Sequence, residues 1–326
     1  MTQSQEKLIH VGLASDTRKS VLRREELLAL HARSQSRRHQ LTDDPEAAEM
    51  IVLAGDLETL AEARANPLIR RYPEKTMAYS EVDALIPYVP GVYPSAGKPR
   101  GFSLRRTQSN IYFSRYKSSH NPEIRHRPRT TKNTLFCFLG RKDCRVRTNL
   151  IDHDFRRDDV LVRETTGFMH WQDGIVGRKE AQREYAEALA GTHFALCPRG
   201  MGFGSIRFFE VMEMGIAPVL LADQYALPPG PSWDDFLLQV PEADFRRLPD
   251  ILETYVAESA ERGQKAREAW ERFFSPEVAF DRVVEQLEQI RTDRVMPEGL
   301  YRMLWPLLHV RPGIRQWVRN YKKATD

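Results

Sequence analysis

Arg207 and Glu210 stand three residues apart, just behind Ser205 and a loop with glycine at every second position, Gly200, Gly202 and Gly204. Glycines so placed let backbone amides approach a ligand with no side chain in the way. Ser205 occupies the place of an N-cap residue that opens a helix. Free amides and the positive end of the helix dipole then favour a phosphate there. Arg207 could reach a pyrophosphate, and Glu210 a sugar hydroxyl. The other reading is an ordinary i, i+3 surface ion pair beside a glycine turn. The loop lacks the lysine of a Walker loop, and the strand before it is not the first of the chain, so neither a kinase nor a dehydrogenase gains support.

The elements that must position these residues are legible around them. His193 to Cys197 predicts a short buried strand, Ser205 to Met214 an amphipathic helix, and Ile216 to Leu221 a second buried strand. On the helix, Phe208, Val211, Met212 and Gly215 form the buried stripe, which places Arg207 and Glu210 on a different face. Strand, loop, helix and strand in that order build a parallel sheet with ligands at the carboxyl ends of its strands.

The run FALCPRGMGFGSIRFFEVMEMGIAPVLLADQYALPP resembles the signature of the exostosin family, glycosyltransferase family 47, in which C-x-P-x-G is followed by S-x-R-x-x-E, a P-V strand and D-x-Y-x-L-P. Cys197, Pro198, Gly200, Ser205, Arg207, Glu210, Gly215, Pro218, Val219, Asp223, Tyr225, Leu227 and Pro228 stand in register with it. Trp233, Asp235, Phe236 and Glu242 extend the match, and TLFCFLG (Thr134 to Gly140) followed by basic residues is similar to another family segment.

The resemblance implies an α/β chain of GT-B architecture, two Rossmann-like domains facing a central cleft with a C-terminal helix packed back on the first. The implied division is residues 1–130 with the tail 296–326 as acceptor domain, and 131–295 as the nucleotide-sugar domain. The implied activity is inverting transfer of a sugar from a nucleotide diphosphate donor, a UDP-sugar or GDP-sugar, to a glycan or lipid-linked glycan, in cell-surface polysaccharide or lipopolysaccharide synthesis. Departure of a nucleotide diphosphate develops negative charge, and fixed cations that meet it stabilise the transition state. Arg207, Ser205 and the loop amides of Gly200 and Gly204 are expected in that role, with Arg141, Arg147 and Arg199 on the donor phosphates and Glu210 on the ribose. The general base belongs in this fold to a loop of the first domain or the cleft rim. Asp16, at the end of the first strand, has the right topological place; Glu164, His170 and Asp173 are alternatives. No D-x-D pair is visible where a GT-A enzyme would bind its metal, and Asp43-Asp44 and Asp158-Asp159 are adjacent pairs of the wrong kind, so no metal or cofactor is expected.

Length and composition bound these readings. At 326 residues the chain has room for two domains, and 41% hydrophobic with 29% charged residues describes a folded protein. A net charge of +4 is mild. No apolar run approaches the length that crosses a bilayer and the first ten residues have no signal-peptide core, so a cytoplasmic location is expected. The 3 cysteines, two of them in apolar strands, support neither a disulfide framework nor a zinc site.

In chain order, Leu8 to Asp16 reads as an opening strand, Lys19 to Arg38 as a helix, Met50 to Ala54 as a strand, Asp56 to Ala65 as a helix ended by Asn66-Pro67, and Thr76 to Tyr79 as a strand. Asp159 to Arg163 reads as a strand, Arg178 to Ala190 as a helix, and Leu248 to Ile290 as largely helical. Between Arg100 and Arg147, lysines and arginines face only Glu123 and Asp143, with Tyr112, Phe113 and Tyr116 among them. That pattern supports the alternative function, a non-enzymatic polyanion or nucleic-acid binder; under the main reading no nucleic acid is expected. The tail from Met296 to Lys323 mixes aromatics with arginines and lysines, and either packs across the first domain or rests on an anionic membrane surface.

Overall fold

A computed structural model describes residues 7–34, 38–83, 87–98, 105–117, 119–127, 130–165 and 178–308. His170, Asp173 and the tail beyond Leu308 lie outside the described residues.

Among the described residues, eleven strands form two wholly parallel sheets. The first holds β1 (Lys7–Leu13), β2 (His39–Leu41), β3 (Met50–Ala54), β4 (Thr76–Tyr79), β5 (Gly91–Val92) and β6 (Thr107–Gln108), in the order β2-β1-β3-β4-β5-β6. The second holds β7 (Thr134–Gly140), β8 (Val160–Glu164), β9 (Thr192–Pro198), β10 (Ala217–Leu221) and β11 (Leu238–Gln239), in the order β11-β10-β9-β7-β8. Both follow one winding rule: the chain starts in the middle, takes one strand to one side, then crosses to the other. Such a sheet has its switch point beside its first strand, between β1 and β3 in one unit and between β7 and β9 in the other, and ligands bind at the carboxyl ends there. Strands β3, β4 and β10 are buried along their whole length, as strands covered on both faces must be.

The helices are α1 (Arg18–Arg33), α2 (Leu60–Ala65), α3 (Pro67–Arg71), α4 (Arg145–Asp152), α5 (Arg178–Ala190), α6 (Ile206–Met214), α7 (Leu248–Glu253), α8 (Ser259–Phe273), α9 (Ala279–Asp293) and α10 (Glu298–Leu308). Thr59 opens α2 through a reciprocal capping box with Glu62. Asn66-Pro67 does more than end it: the Asn66 side chain accepts from the amides of Leu68 and Ile69, Pro67 fills the first helical position, and α3 begins at once. The helix expected to reach Arg38 stops at Arg33, where the amide of Ser34 closes the last turn.

The last two helices return to the first unit. Asp281 on α9 accepts from Ser34 Oγ at 2.6 Å and lies 2.6 Å from His39 Nδ1, while Lys7 meets Glu288 at 2.5 Å. Gln286 joins Asn110 at 2.6 Å and the Ser109 carbonyl at 2.9 Å. On α10, Tyr301 and Trp305 enter the first unit's core, and Tyr301 Oη donates to the Pro87 carbonyl at 2.9 Å. Glu298, fully buried, takes both terminal nitrogens of Arg106, and Arg294 at 3.2 Å and Arg302 at 3.8 Å complete a cluster of three guanidinium groups on one carboxylate. Packing back of the C-terminal helix is thus observed, and α9, which the sequence division left with the second unit, shares the same surface.

Candidate functional site

The switch point of the second sheet gathers the basic residues. Strand β7 delivers Phe138, Gly140 and then Arg141; the first turn of α4 delivers Arg147; β9 runs into Pro198 and the glycine loop, which feeds α6 with Arg207. Arg207 is buried, donates to the Leu139 carbonyl, and its Cζ lies 4.5 Å from the centre of the Phe138 ring. The Arg147 guanidinium lies 5.9 Å from the same ring, donates to Asp143 at 2.8 Å and reaches the Pro198 carbonyl at 3.4 Å. Two cations thus attend one aromatic side chain. Burial, and then the charge of Arg207, pull the Arg147 guanidinium below its ordinary value, with Asp143 the opposing carboxylate. The Nε atoms of Arg147 and Arg207 are both buried without a hydrogen-bond partner. Two buried guanidinium groups that repel one another, each with an Nε lacking an acceptor among the described residues, offer donors to an anion.

Helix α6 differs from expectation. Its spacing predicts an amphipathic helix with Arg207 and Glu210 off the buried stripe, yet Arg207, Phe208, Phe209, Glu210, Val211, Met212 and Met214 are all buried. The helix is closed in by its own sheet, by α8 and by Phe274, so it has little water-facing side. A surface ion pair is therefore not what these two residues form. Glu210 instead accepts from Tyr185 Oη at 2.8 Å, and the Arg207 guanidinium lies 5.6 Å from the Tyr185 ring. Ser205 stands at the N-cap with extended backbone but makes no side-chain capping bond, which leaves its hydroxyl for a ligand.

The glycine loop faces the first unit. A Cβ on Gly202 would lie 2.4 Å from Ser95 Oγ and 2.7 Å from Asp83 Oδ1; one on Gly204 would lie 2.7 Å from both the Pro94 carbonyl and Tyr112 Oη. Glycine is required at these two positions because the carboxyl edge of the first sheet approaches them closely. The Gly200 amide bonds the Gly204 carbonyl at 3.2 Å and so is spent inside the loop. Of the loop amides expected to be free, that of Gly200 is therefore not. The two units are further joined by an antiparallel bridge, Gly97 with Tyr225, flanked by Lys98 N to the Gln224 carbonyl at 2.7 Å and Ala226 N to the Ala96 carbonyl at 3.1 Å.

The remaining expected residues scatter. Arg141 is half-buried and its guanidinium makes no hydrogen bond or ion pair among the described residues. Arg199 is held by Glu242 at 3.0 Å and by the Gly200 carbonyl at 3.1 Å. Asp16 lies exposed in the turn after β1, with no hydrogen bond or ion pair among the described residues. Glu164 shares Lys142 with Asp152, at 3.3 Å and 2.6 Å. No described group of three or more His, Cys, Asp and Glu residues has a metal-holding arrangement.

Sequence reasoning missed the acidic end of β4. Glu81 accepts from the Ser114 amide at 3.0 Å and pairs with Arg23 at 3.2 Å; burial pushes its carboxyl above the usual range against the pull of Arg23. Asp83, at the exposed rim, takes Ser95 Oγ at 3.3 Å and the Gly202 amide. The only early signal was the position of SEVD directly after a buried strand.

Much of the basic Arg100 to Arg147 stretch is neutralised internally. Arg106 is committed to Glu298, Arg115 to Glu213, Arg127 to Glu123 at 3.1 Å, Lys142 to Asp152 and Arg147 to Asp143.

Two parallel Rossmann-like units that present their carboxyl edges to each other constitute a GT-B architecture. Residues 105–255 match the Exostosin GT47 domain. The chain is 30% identical over 130 residues to an exostosin-1 homolog of Caenorhabditis elegans, covering 37% of this chain and 33% of that protein. Over 76 residues it is 41% identical to a probable glucuronoxylan glucuronosyltransferase, IRX7, of Arabidopsis thaliana, covering 22% of this chain and 17% of that protein. A solved α1,3-fucosyltransferase with GDP aligns at 11% identity and a TM-score of 0.43, covering 91% of this chain and 94% of that one. The chain thus spans a third or less of the length of these two sequence relatives.

Proposed function

We propose that the protein is a glycosyltransferase that moves a sugar from a nucleotide diphosphate donor to a glycan or lipid-linked glycan hydroxyl, with inversion and without a metal or other cofactor. The observation that carries this reading is the pair of buried guanidinium groups, Arg147 and Arg207, beside one aromatic ring with both Nε atoms unsatisfied. A diphosphate leaving group supplies the missing acceptors, and its charge grows as the glycosidic bond breaks. Ser205 and the first-turn amides of α6 add donors, and Arg141 adds a half-buried cation to the same strand ends. Glu210, hydrogen-bonded by Tyr185, fixes the pocket wall on the nucleoside side. The name of one relative, a probable glucuronoxylan glucuronosyltransferase, accords with a glucuronosyl donor, and UDP-sugars and GDP-sugars are both donors to be tested.

A ligand that binds only the folded state raises the melting temperature by mass action. UDP or GDP is expected to do so equally with and without EDTA, whereas CMP and dTDP leave it unchanged. A shift that vanishes in EDTA would remove the metal-free reading, and silence from all four would remove the donor site.

We place the protein in cell-surface polysaccharide or lipopolysaccharide synthesis, at the cytoplasmic face of a membrane. Among the described residues no helix is long and apolar enough to cross a bilayer. Helix α10, however, buries Tyr301 and Trp305 while leaving Met303 69% and Leu307 76% exposed. The sequence that follows is rich in arginine and lysine, which suits an anionic surface. The protein should sediment with phosphatidylglycerol vesicles and not with phosphatidylcholine vesicles, and Met303→Glu with Leu307→Glu should abolish the difference. Equal recovery with both lipids would remove membrane contact from the proposal.

A further inference from the structure

Inverting transfer needs a base within reach of the acceptor hydroxyl, and most carboxylates around the two carboxyl edges are already occupied. Asp56 is held by Lys19 and by the Glu81 amide. Glu81 is held by Arg23 and the Ser114 amide, Glu210 by Tyr185, Asp143 by Arg147, Glu242 by Arg199, and Glu164 by Lys142. Asp83 is different. Its carboxylate is positioned by Ser95 Oγ, 3.3 Å from Oδ1, and by the amide of Gly202 across the junction. No ion pair holds it among the described residues, and it lies at the exposed rim. The Gly202 amide belongs to the loop whose next turn opens α6 with Arg207, so this carboxylate is fixed against the element that carries the donor cations. Asp16, although it also ends a strand of the first sheet, has no such tie.

We infer that Asp83 is the general base of the transfer, an assignment that rests on the glycosyltransferase reading above. The acceptor hydroxyl gives its proton to the Asp83 carboxylate as its oxygen bonds to the anomeric carbon. The bond from that carbon to the phosphate oxygen breaks, and its electron pair leaves with the nucleoside diphosphate, whose new charge meets Arg207 and Arg147. Asp83 then returns the proton to solvent through its exposed edge. Ser95 Oγ, itself 2.7 Å from Tyr112 Oη, acts as a positioning residue that orients the carboxylate.

The charged groups facing Asp83 are Lys19 from α1 and Asp143 from the turn after β7. Loss of water around it pushes its carboxyl above the usual range, while Ser95 and Lys19 pull it back, Asp143 adds to the rise, and the Gly202 amide opposes it. A base with a raised value is stronger, so the rate should fall as pH drops through a midpoint above that of an ordinary aspartate.

The test uses the full chain, with nucleoside diphosphate release from UDP-glucuronic acid, UDP-glucose and GDP-fucose as the rate, and calorimetry with UDP and GDP as the binding readout. Asp83→Asn should lower the rate by roughly 100- to 10,000-fold, abolish the acidic limb of the pH profile and leave nucleotide affinity within about threefold. Asp83→Glu should restore part of the rate, and Asp16→Asn should stay near wild type. Nucleotide bound and donor turned over by Asp83→Asn at the wild-type rate would overturn the assignment and leave the donor site standing. Loss of activity confined to Asp16→Asn would move the role to Asp16. Nucleotide binding with no turnover in the wild type would remove the base while sparing the binding site, and absence of nucleotide binding in the wild type would overturn the reading beneath it.

Discussion

Replacing Arg207 by alanine is expected to lower donor turnover roughly 100- to 1,000-fold, the usual cost of removing one preorganised donor to a developing oxyanion. The geometry explains why so much rides on this side chain. Its guanidinium is anchored by the Leu139 carbonyl and the Phe138 face, so its position is set before any ligand arrives, and its Nε has no partner of its own. Preorganisation of this kind costs little at the moment of reaction, which is where the rate is determined. Arg207→Lys should rescue only part of the loss, because an ammonium keeps the charge but lacks the planar fork that meets a phosphate with two bonds. Relief of repulsion on Arg147 partly offsets the missing group in the ground state, so nucleotide affinity should fall less than turnover. A folded Arg207→Ala protein with turnover within a few-fold of wild type would remove this residue from the chemistry.

The second large effect is on stability. Glu298→Ala should destabilise the protein by about 3–5 kcal/mol, the range for removing one partner of a buried ion pair. Glu298 is the buried carboxylate on which Arg106, Arg294 and Arg302 converge, and the Arg106 guanidinium also sits 3.4 Å from the Tyr301 ring centre. Without the carboxylate, Arg106 stays buried with no counter-charge. Replacing both Glu298 and Arg106 by methionine should cost much less than Glu298→Ala, since the penalty comes from the orphaned charge rather than from the loss of the pair. Urea unfolding of the two variants decides the matter, and a Glu298→Ala midpoint equal to that of wild type would show that the cluster contributes no net stability.

The long buried strands were legible because they are continuous apolar runs: Met50–Ala54, Thr134–Gly140 and Ala217–Leu221 each stand out from polar flanks. β5 and β6 were not, because two-residue strands carry no period and take their partners from distant sequence. The same distinction runs through the site. Arg141, Arg147, Ser205 and Arg207 sit beside their own strand ends, where local order and, for Arg141 and Arg147, the family resemblance made them candidates. Asp83 and Ser95 acquire meaning only when Gly202 arrives from the other unit, and Glu298 reads as an ordinary acidic helix start until Arg106 is folded over it. Arg207 and Glu210 were read on the wrong environment for a related reason. Helical spacing reports which residues share a face, but the number of covered faces depends on what packs later, here α8 and Phe274.

Because α8 stays with the second sheet while α9 and α10 return to the first, the chain passes from the first unit to the second once and comes back once. The second unit is therefore an insert with two seams, one in the stretch before β7 and one at Ser275-Pro276. Under the proposed function, recombination that exchanges everything between those seams would carry a foreign donor pocket on an unchanged acceptor frame, provided Gly202, Gly204 and the Gln224–Ala226 strap travel with it. A splice that simply joins one front half to another back half would instead strip α9 and α10 from the sheet they complete. Exchange of donor preference in such a scaffold is a cassette problem, and the seams set where the cassette is cut.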